Sequence, residues 1–157
     1  MNKKKFKQKF QIREMKIDDY ELMIKLWENI DGIGLSEADS RENILKYLKR
    51  NKGMSFVCEL NQDIIGTIMG GHDGRRGYIY HLAVAENYRN RGIGKELLSS
   101  SLVRLREENI QKCHIFVFRE NEPGNKFWDI VGWTRRNDLY VFSKVLKEKN
   151  DIGEENI

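Results

Sequence analysis

The sequence predicts an α/β (α+β) fold: a mixed, mostly antiparallel β-sheet flanked by helices. Three short apolar runs, at residues 54–60, 64–71 and 78–84, are separated by turn-forming residues, which is typical of a strand meander. Residues 92–109 then repeat apolar side chains with helical spacing. A fourth apolar run, at residues 112–118, follows this helix. A strand–helix–strand connection joins parallel strands, so we expect the sheet to be mixed.

The first third of the chain is predicted to form a strand and two helices. The strand covers residues 12–16, and Asp18 caps the helix that follows it. The apolar stripe of that helix consists of Leu22, Leu26, Trp27 and Ile30. Glycines within residues 31–34 end it, and Ser40 caps a second helix that stops near residues 51–53. The inward side chains of the second helix are Ile44, Leu45 and Leu48.

The long helix at residues 92–109 has a continuous apolar face. The side chains that we expect it to bury are Ile93, Leu97, Leu98, Leu102 and Leu105. After the fourth strand, Pro123 suits the first turn of a short helix and Gly132 suits its left-handed C-terminal position. A final hairpin is predicted from two apolar stretches, at residues 133–136 and 139–145.

Length and composition indicate one globular domain over residues 11–147. The chain has 157 residues, of which 39% are hydrophobic and 33% charged, and it has no apolar run long enough to span a membrane. Residues 1–10 form a basic leader that lacks the apolar core of a secretory signal, and residues 148–157 form an acidic tail that we expect to be frayed. We therefore expect a cytoplasmic protein.

The net charge of +4 arises in the basic leader. Its lysines are Lys3, Lys4, Lys5, Lys7 and Lys9. A lysine-rich leader of this kind either binds nucleic acid or an acidic surface, or is simply solvated. In the rest of the chain, basic and acidic side chains nearly balance. This balance argues against nucleic acid as a partner, so none is expected.

The two cysteines, Cys58 and Cys113, lack both CxxC spacing and a nearby histidine pair. No metal site is therefore expected. Both cysteines lie in apolar, strand-like runs, which is typical of buried free thiols.

The stretch from Arg89 to Lys95 joins the third strand to the long helix. A strand, a tight glycine turn and a helix start, in this order, point backbone N–H groups at an anion such as phosphate. Gly92 and Gly94 let the backbone approach closely, and Arg91 adds to the positive charge there. The stretch is too short for a P-loop and no Ser or Thr follows its lysine; one Gly-x-Gly outside a βαβ repeat is also a poor Rossmann fingerprint.

This stretch resembles the Arg/Gln-x-x-Gly-x-Gly/Ala motif of the GNAT superfamily of acyl-CoA-dependent N-acetyltransferases. The matching residues are Arg89, Asn90, Arg91, Gly92, Ile93 and Gly94. Leu82-Ala83-Val84 is similar to the end of the family's central strand. Asn121, followed by Phe127-Trp128 and Gly132-Trp133, is similar to its Asn…(Leu/Phe)-Tyr-x-x-x-Gly-Phe pattern. The predicted order of elements is also that of the family, so the resemblance covers residues 12–146.

The resemblance implies that an acetyl group moves from acetyl-CoA to a primary amine by direct attack, without a metal. The main chain of Leu82, Ala83 and Val84 would pair with the pantetheine arm and the thioester. Main-chain N–H groups of residues 90–95, which include Ile93 and Lys95, would hold the pyrophosphate. Asn121 would bind the pantetheine, cap a helix, or do both.

Two positions depart from the family's catalytic residues. Trp128 stands where the family often has a general-acid tyrosine, and an indole N–H is not acidic in water. Phe116 stands where some relatives have a glutamate base. His81 remains as the candidate general base, because imidazole accepts protons near neutral pH, and a structural role in its strand is the alternative. Weaker candidates for acid or base are His72, Tyr78, Tyr80, His114, Glu120 and Tyr140.

The sequence does not identify the acceptor amine, which is either a small molecule or a protein N-terminus. Asp31, Glu37 and Asp39 lie where relatives build the acceptor wall and can attract a cationic amine, or are simply solvated. The alternative function is an acyl-CoA-binding protein with little or no turnover, which the missing tyrosine and glutamate favour. A homodimer is possible, because many relatives pair through the edges of their sheets.

Overall fold

The structure, a computed structural model, describes residues 9–147. The strands of this part of the chain are Gln11–Glu14 (β1), Phe56–Leu60 (β2), Asp63–His72 (β3), Gly77–Val84 (β4) and Cys113–Ile115 (β5). Its α-helices are Tyr20–Glu28 (α1), Arg41–Arg50 (α2), Ile93–Glu107 (α3) and Glu122–Ile130 (α4). The predicted acidic tail and most of the predicted leader lie outside the described residues.

The five strands form one sheet in the order β1-β2-β3-β4-β5. The pairs β1–β2, β2–β3 and β3–β4 are antiparallel, and the pair β4–β5 is parallel. Helix α3 makes the crossover between these two parallel strands. The prediction of a mixed, mostly antiparallel sheet flanked by helices is therefore confirmed.

Two apolar clusters cover the two faces of this sheet. Successive side chains of a strand point to opposite faces, so Cys58 and Ile68 join the cluster under α3, whereas Val57 and Met69 join the cluster under α1 and α2. The helix residues of the first cluster are Ile93, Leu97, Leu98 and Leu105, and those of the second are Met23, Leu26, Trp27 and Ile44. The predicted faces are largely confirmed, but the predicted stripe of α1 omits Met23, which is fully buried, and Leu45 of α2 joins neither cluster.

Helix α3 lies close to β3 at Gly70. The Ser101 hydroxyl of α3 donates a 2.7 Å hydrogen bond to the carbonyl oxygen of Met54. A β-carbon on Gly70 would lie 2.6 Å from that carbonyl oxygen and even closer to the Ser101 hydroxyl. Only glycine therefore fits here without displacing the helix.

The prediction that Asp18 caps the first helix is wrong. A 3₁₀ turn over Ile17–Asp19 precedes α1, whose N-cap is Asp19, and the Asp19 side chain makes no capping hydrogen bond to α1. Its carboxylate instead accepts two hydrogen bonds from Arg13 of β1, at 2.7 and 2.9 Å, and one from the Lys16 N–H at 2.8 Å. Burial raises the pKa of the Asp19 carboxyl, but these hydrogen bonds outweigh it and hold the pKa below its ordinary value.

The prediction for the second helix is confirmed. The Ser40 hydroxyl accepts a hydrogen bond from the Asn43 N–H at 3.3 Å, and α2 starts at Arg41, the residue after Ser40. At the end of α4, Gly132 has φ +85°, the left-handed conformation expected of it.

The final hairpin predicted from residues 133–136 and 139–145 is wrong. The structure has no strand in either stretch, and the apolar side chains of residues 139–146 are mostly exposed. Strand β5 is also shorter than the predicted run at residues 112–118. Strand β5 is short because, within residues 9–147, it pairs only with Gly77–Ile79 of β4, and a strand ends where its ladder of hydrogen bonds ends. Residues 133–136 and 139–145 form no strand for the same reason: no strand of the sheet pairs with them.

Candidate active site

An opening in the sheet separates β4 from β5. The two strands pair only through Gly77, Tyr78 and Ile79, so the rest of β4 has no contact in register with β5. On its other side, Ala83 lies opposite Thr67 of β3, and the Ala85 N–H donates to the Ile65 carbonyl at 2.8 Å. Main-chain groups of an antiparallel strand point to its two edges alternately. The main chain of Ala83 therefore faces β3.

By the same alternation, the main chains of Leu82 and Val84 face the opening. The Arg89 side chain reaches this edge and donates to the Val84 carbonyl at 3.0 Å. Of the three residues predicted to pair with an extended ligand, two thus present main-chain groups to the opening. The third, Ala83, is held by the sheet and buried.

A β-bulge at His81 bends β4 just before this edge. Thr67 lies opposite Ala83 and Met69 lies opposite Tyr80, so two residues of β4, His81 and Leu82, face one residue of β3. His81 has φ +47°, in the left-handed region that residues with side chains seldom occupy. The Thr67 hydroxyl fixes the bulge by donating to the His81 carbonyl at 2.8 Å. Bulges of this kind re-aim a side chain.

The His81 ring is held in place by groups from α1 and from the segment before α2. Its Nε2 lies 2.6 Å from Oδ1 of Asp39, and both side chains are nearly buried. The other Asp39 oxygen accepts the Ser36 N–H at 2.9 Å. The Trp27 ring packs against the imidazole with centroids 4.6 Å apart, and its Nε1 donates to the Thr67 hydroxyl at 2.9 Å. The imidazole therefore has a fixed position and a fixed partner.

This pairing leaves one imidazole nitrogen for chemistry. A neutral histidine has one N–H and one nitrogen lone pair. The carboxylate of Asp39 accepts hydrogen bonds only, so it favours the tautomer with the proton on Nε2 and the lone pair on Nδ1. A base oriented by a carboxylate is a recurring arrangement in enzymes that remove protons. From the sequence, Asp39 is one of the acids expected to attract a cationic amine. Nothing in the sequence indicates that it contacts His81, which lies 42 positions later.

The glycine turn forms the start of α3, next to this end of β4. Gly92 is the N-cap of α3 with φ +82°, and a β-carbon there would meet nothing within 4 Å. The following main-chain N–H groups belong to the first turn, where a helix supplies no carbonyl partner, and the helix dipole favours an anion. Arg91 donates to the Asn87 carbonyl at 3.3 Å and lies over the Tyr88 ring, and Lys95 is exposed. The turn therefore presents N–H donors and positive charge together.

Asn121 lies where the start of α4 meets the segment between α1 and α2. Its Oδ1 accepts the Gly124 N–H at 3.0 Å, so it caps α4. Its amide also packs on Gly32, where a β-carbon would lie 2.6 Å from Nδ2. The capping role that the sequence left open is confirmed; binding of a ligand by Asn121 stays a prediction.

The two positions that depart from the family pattern lie in different surroundings. Trp128 is buried between the Phe127 and Trp133 rings, with centroids 5.2 and 4.5 Å away, and so belongs to the core. Phe116 is exposed and stacks on Tyr78. Neither supplies an acid or a base.

The weaker candidates are not gathered around His81. Nδ1 of His72 accepts the Gly74 N–H in the β3–β4 turn, and His114 packs against Tyr78. Glu120 and Tyr140 are exposed. Tyr80 is partly exposed and meets the Tyr47 ring edge-on at 6.2 Å. The structure thus brings Asp39, and none of these residues, into hydrogen-bond contact with His81.

Of the two cysteines, Cys58 is buried and Cys113 is partly buried. Burial raises the pKa of the Cys58 and Cys113 thiols to about 11, so both are protonated at neutral pH and are poor nucleophiles.

Residues 9–147 contain no group of three or more side chains arranged to hold a metal ion. None of the helices within this range is long and apolar enough to cross a bilayer. A depression of about 520 Å³ along α4 includes none of the predicted site residues among its lining.

Comparisons with known proteins identify the family of this chain. A model of the acetyltransferase (GNAT) family matches residues 17–133. An acetyltransferase of Pectobacterium atrosepticum is 35% identical over 112 residues, which are 71% of this chain and 79% of that protein.

Solved structures also share the fold. A GNAT-family acetyltransferase from Staphylococcus aureus superposes with a TM-score of 0.72 at 25% identity, covering 87% of this chain and 92% of the other. The PaiA N-acetyltransferase of Thermoplasma acidophilum, solved in complex with coenzyme A, gives a TM-score of 0.67 at 21% identity, covering 79% and 89%.

Proposed function

Because this chain belongs to the GNAT family of acetyltransferases and is therefore an acyltransferase, we propose that it moves an acetyl group from acetyl-CoA to a primary amine. The acceptor is a small molecule or a protein N-terminus. The observation that carries the proposal is the proximity of two features: the open edge of β4 leads, through a 3₁₀ turn at Glu86–Tyr88, to the glycine turn at the start of α3, where a β-carbon on Gly94 would lie 3.8 Å from the Val84 side chain.

This proximity suits a long donor with an anionic middle. The pyrophosphate binds at the first turn of α3, where the N–H groups after Gly92 face it. The pantetheine arm, which carries amide groups, extends along β4 and pairs with the main chains of Leu82 and Val84 as an added strand would. The thioester then lies near the bulge at His81. A protein with the same fold was solved in complex with coenzyme A, which supports acetyl-CoA as the donor.

The reaction is a direct attack with His81 as general base. The amine nitrogen attacks the thioester carbonyl carbon, and the new C–N bond leaves a negative charge on the carbonyl oxygen. Nδ1 of His81 accepts the proton that the amine loses, while Asp39 stabilises the imidazolium through Nε2. The C–S bond then breaks, and the thiolate leaves and takes its proton from water, because Trp128 is buried in the core.

The acidic residues near this site divide into two roles. Asp39 is engaged by His81 and by the Ser36 N–H, and it is buried. Asp31 and Glu37 are exposed in the segment between α1 and α2. We assign the attraction of a cationic amine to these two and the orientation of the base to Asp39.

The first experiment measures thermal unfolding with and without acetyl-CoA on the wild type, Gly92→Glu and Gly74→Glu. A donor at a hundred times its Kd should stabilise the wild type by about 2.7 kcal/mol. The shift should vanish in Gly92→Glu, because the new carboxylate would occupy the anion site.

Gly74→Glu is the matched control. Both glycines have positive φ, +82° and +94°, and a β-carbon on either meets nothing within 4 Å. The two substitutions therefore impose a similar backbone strain, but Gly74 lies in the β3–β4 turn. Equal loss of the shift in both variants, or no shift in the folded wild type, would contradict the proposal.

The alternative, an acyl-CoA-binding protein with little turnover, is favoured by the burial of Trp128, which leaves no acid at that position. Release of free thiol from acetyl-CoA, measured across a panel of primary amines, separates the two functions. Tight binding without thiol release from any amine would favour the alternative.

A further inference from the structure

The sheet face that carries α1 and α2 has a group of aromatic side chains beside the opening. Tyr78 and Tyr80 of β4 point to this face, because Ile79 between them points to the other face and joins the cluster under α3. His114 of β5 lies opposite Tyr78 in register, and Phe116 follows two residues later. The rings of Tyr78 and Phe116 stack with centroids 6.4 Å apart and planes inclined by 24°. Tyr78, Tyr80, His114 and Phe116 are termed the aromatic wall.

The exposed part of the aromatic wall flanks the narrow end of the opening. The pairing of β4 with β5 ends at Ile79 and Ile115. Tyr80 and Phe116 are therefore the first residues on the two sides of the gap, and they are 38% and 60% exposed. His81, which carries the proposed base, follows Tyr80 along β4. An amine nitrogen at the His81 ring would thus have Tyr80 and Phe116 on either side of its carbon chain.

The segment between α1 and α2 bridges the same opening. Asp39, near the end of the segment, contacts the His81 ring at 2.6 Å. Phe118, which continues from β5, packs on the first part of the segment, because a β-carbon on Gly34 would lie 3.2 Å from the Phe118 ring. An acceptor at His81 is therefore bounded by this bridge as well as by the aromatic wall. Such a bounded space favours a small molecule over a protein N-terminus.

The chemistry of the two surfaces indicates the kind of molecule that fits between them. The carboxylates of Asp31 and Glu37, exposed in the bridging segment, attract a cationic amine. The rings of the aromatic wall pack favourably against another aromatic ring, edge-on or offset. The Phe116 ring has no hydrogen-bonding group, so the hydroxyl groups of a sugar-like amine would lose water there without gaining a partner. The combination favours an amine on an apolar, aromatic body.

We propose that the acceptor is an arylalkylamine, a primary amine joined to an aromatic ring by a short alkyl chain. Its nitrogen lies at Nδ1 of His81, and its ring packs between Tyr80 and Phe116. This assignment rests on the proposed function, because it places the amine at the base of the acetyl transfer. Phe116 then determines specificity without taking part in the proton transfer.

Thiol release from acetyl-CoA with three primary amines tests the assignment. The amines are 2-phenylethylamine, glucosamine, and a tripeptide of alanine and glycine with a free N-terminus. We expect kcat/KM for 2-phenylethylamine to exceed the values for the other two by about tenfold or more, the discrimination that contacts in an apolar pocket provide.

Phe116→Ala should bring this ratio of kcat/KM values close to unity. Phe116→Leu should give an intermediate ratio, because leucine keeps the apolar contact but not the ring. Phe116 is exposed, so both variants should keep the wild-type Tm and the shift in Tm that acetyl-CoA produces. Val103→Ala is the matched control, since Val103 is 45% exposed on α3, which packs on the other face of the sheet. It should keep the wild-type ratio.

The possible outcomes separate this assignment from the proposed function. Equal kcat/KM for the three amines, or a higher value for glucosamine or the tripeptide, would overturn the arylalkylamine and leave acetyl transfer intact. A preference that survives Phe116→Ala would overturn the role of the aromatic wall. A fall in the mass of the chain in solution on this substitution would mean that a second copy covers the wall, and would also overturn the assignment. Absence of thiol release with every amine would overturn both proposals.

Discussion

At the residue scale, the contact between His81 and Asp39 determines which imidazole nitrogen keeps its lone pair. Alone, an imidazole can expose either nitrogen, and its ring can turn. Here a carboxylate 2.6 Å from Nε2 and the Trp27 ring fix both properties. Asp39 therefore acts as a positioning residue for the proposed base.

We predict that His81→Ala lowers kcat/KM about 10²–10⁴-fold, the usual contribution of a general base. Asp39→Asn should lower kcat more than it changes KM, because the amide can still contact the ring but no longer stabilises the imidazolium. The measurement is thiol release as a function of pH with one fixed amine.

His72→Ala serves as the control, since His72 only closes the β3–β4 turn and should keep full activity. If His81→Ala retains full kcat/KM between about pH 6 and 9, the role of His81 in its strand is structural.

The features of the fold and of the site differ in how far the sequence predicts them. The glycine turn at Gly92, the helix cap at Ser40 and the left-handed conformation of Gly132 can be predicted, because the cause of each lies within a few residues of the chain. The contact of His81 with Asp39 depends on a bulge in β4 and on the path of a segment 42 positions earlier. No local sequence pattern encodes the contact between His81 and Asp39, so only the assembled fold shows it.

At the scale of elements, Asp19 connects β1 to α1. Its carboxylate takes two hydrogen bonds from Arg13 and one from the Lys16 N–H, and only a small part of its side chain is exposed. The same Arg13 also pairs with Glu59 of β2 at 2.8 Å. One guanidinium thus joins two strands and the start of a helix.

We predict that Asp19→Asn lowers the free energy of unfolding at neutral pH by about 1.5–3 kcal/mol, the range for hydrogen bonds to charged groups. The folded-state pKa of this carboxyl is lowered, so its contribution is fully present above the unfolded pKa of about 3.9 and is lost as pH falls through the folded value. The difference between wild type and variant should therefore shrink in acid. Urea unfolding at several pH values measures it.

Asp138→Asn is the control for this prediction. Hydrogen bonds from Arg136 hold the pKa of Asp138 at about 2, but both groups lie on the surface, where ion pairs contribute little to stability. An equal effect of the two substitutions would contradict the special role of Asp19.

The predicted C-terminal hairpin shows why elements are harder to predict than their residues. The apolar, aromatic and β-branched residues within 139–145 do indicate a chain that can form a strand. Whether it forms one depends on a partner strand, and within residues 9–147 no strand pairs with it. Helices such as α3 close their hydrogen bonds internally, so their prediction succeeded.

At the scale of the whole molecule, the sheet separates two packed layers, and α3 is fixed to it at Gly70. We predict that Gly70→Ala lowers stability by about 1–3 kcal/mol, because the added methyl group would overlap the Met54 carbonyl and the Ser101 hydroxyl. For a protein of this size, Tm should fall by about 2–4 °C per kcal/mol.

The double variant Gly70→Ala/Ser101→Gly tests the stated cause. Removing the Ser101 side chain relieves one of the two overlaps, so the effects of the two substitutions should not be additive. Strictly additive losses in Tm would mean that the two positions do not interact.

The division into two layers has a consequence for how such a protein can change over generations. The proposed donor site belongs to β4 and α3, whereas the acidic residues assigned to the acceptor belong to the segment between α1 and α2. Mutations of Asp31 and Glu37 can therefore exchange one amine for another without altering the proposed donor site. Asp39 is the exception among these acids, because it lies in the same segment but orients the proposed base. A lineage that acquires a new acceptor while keeping the proposed mechanism must therefore retain the carboxylate of Asp39.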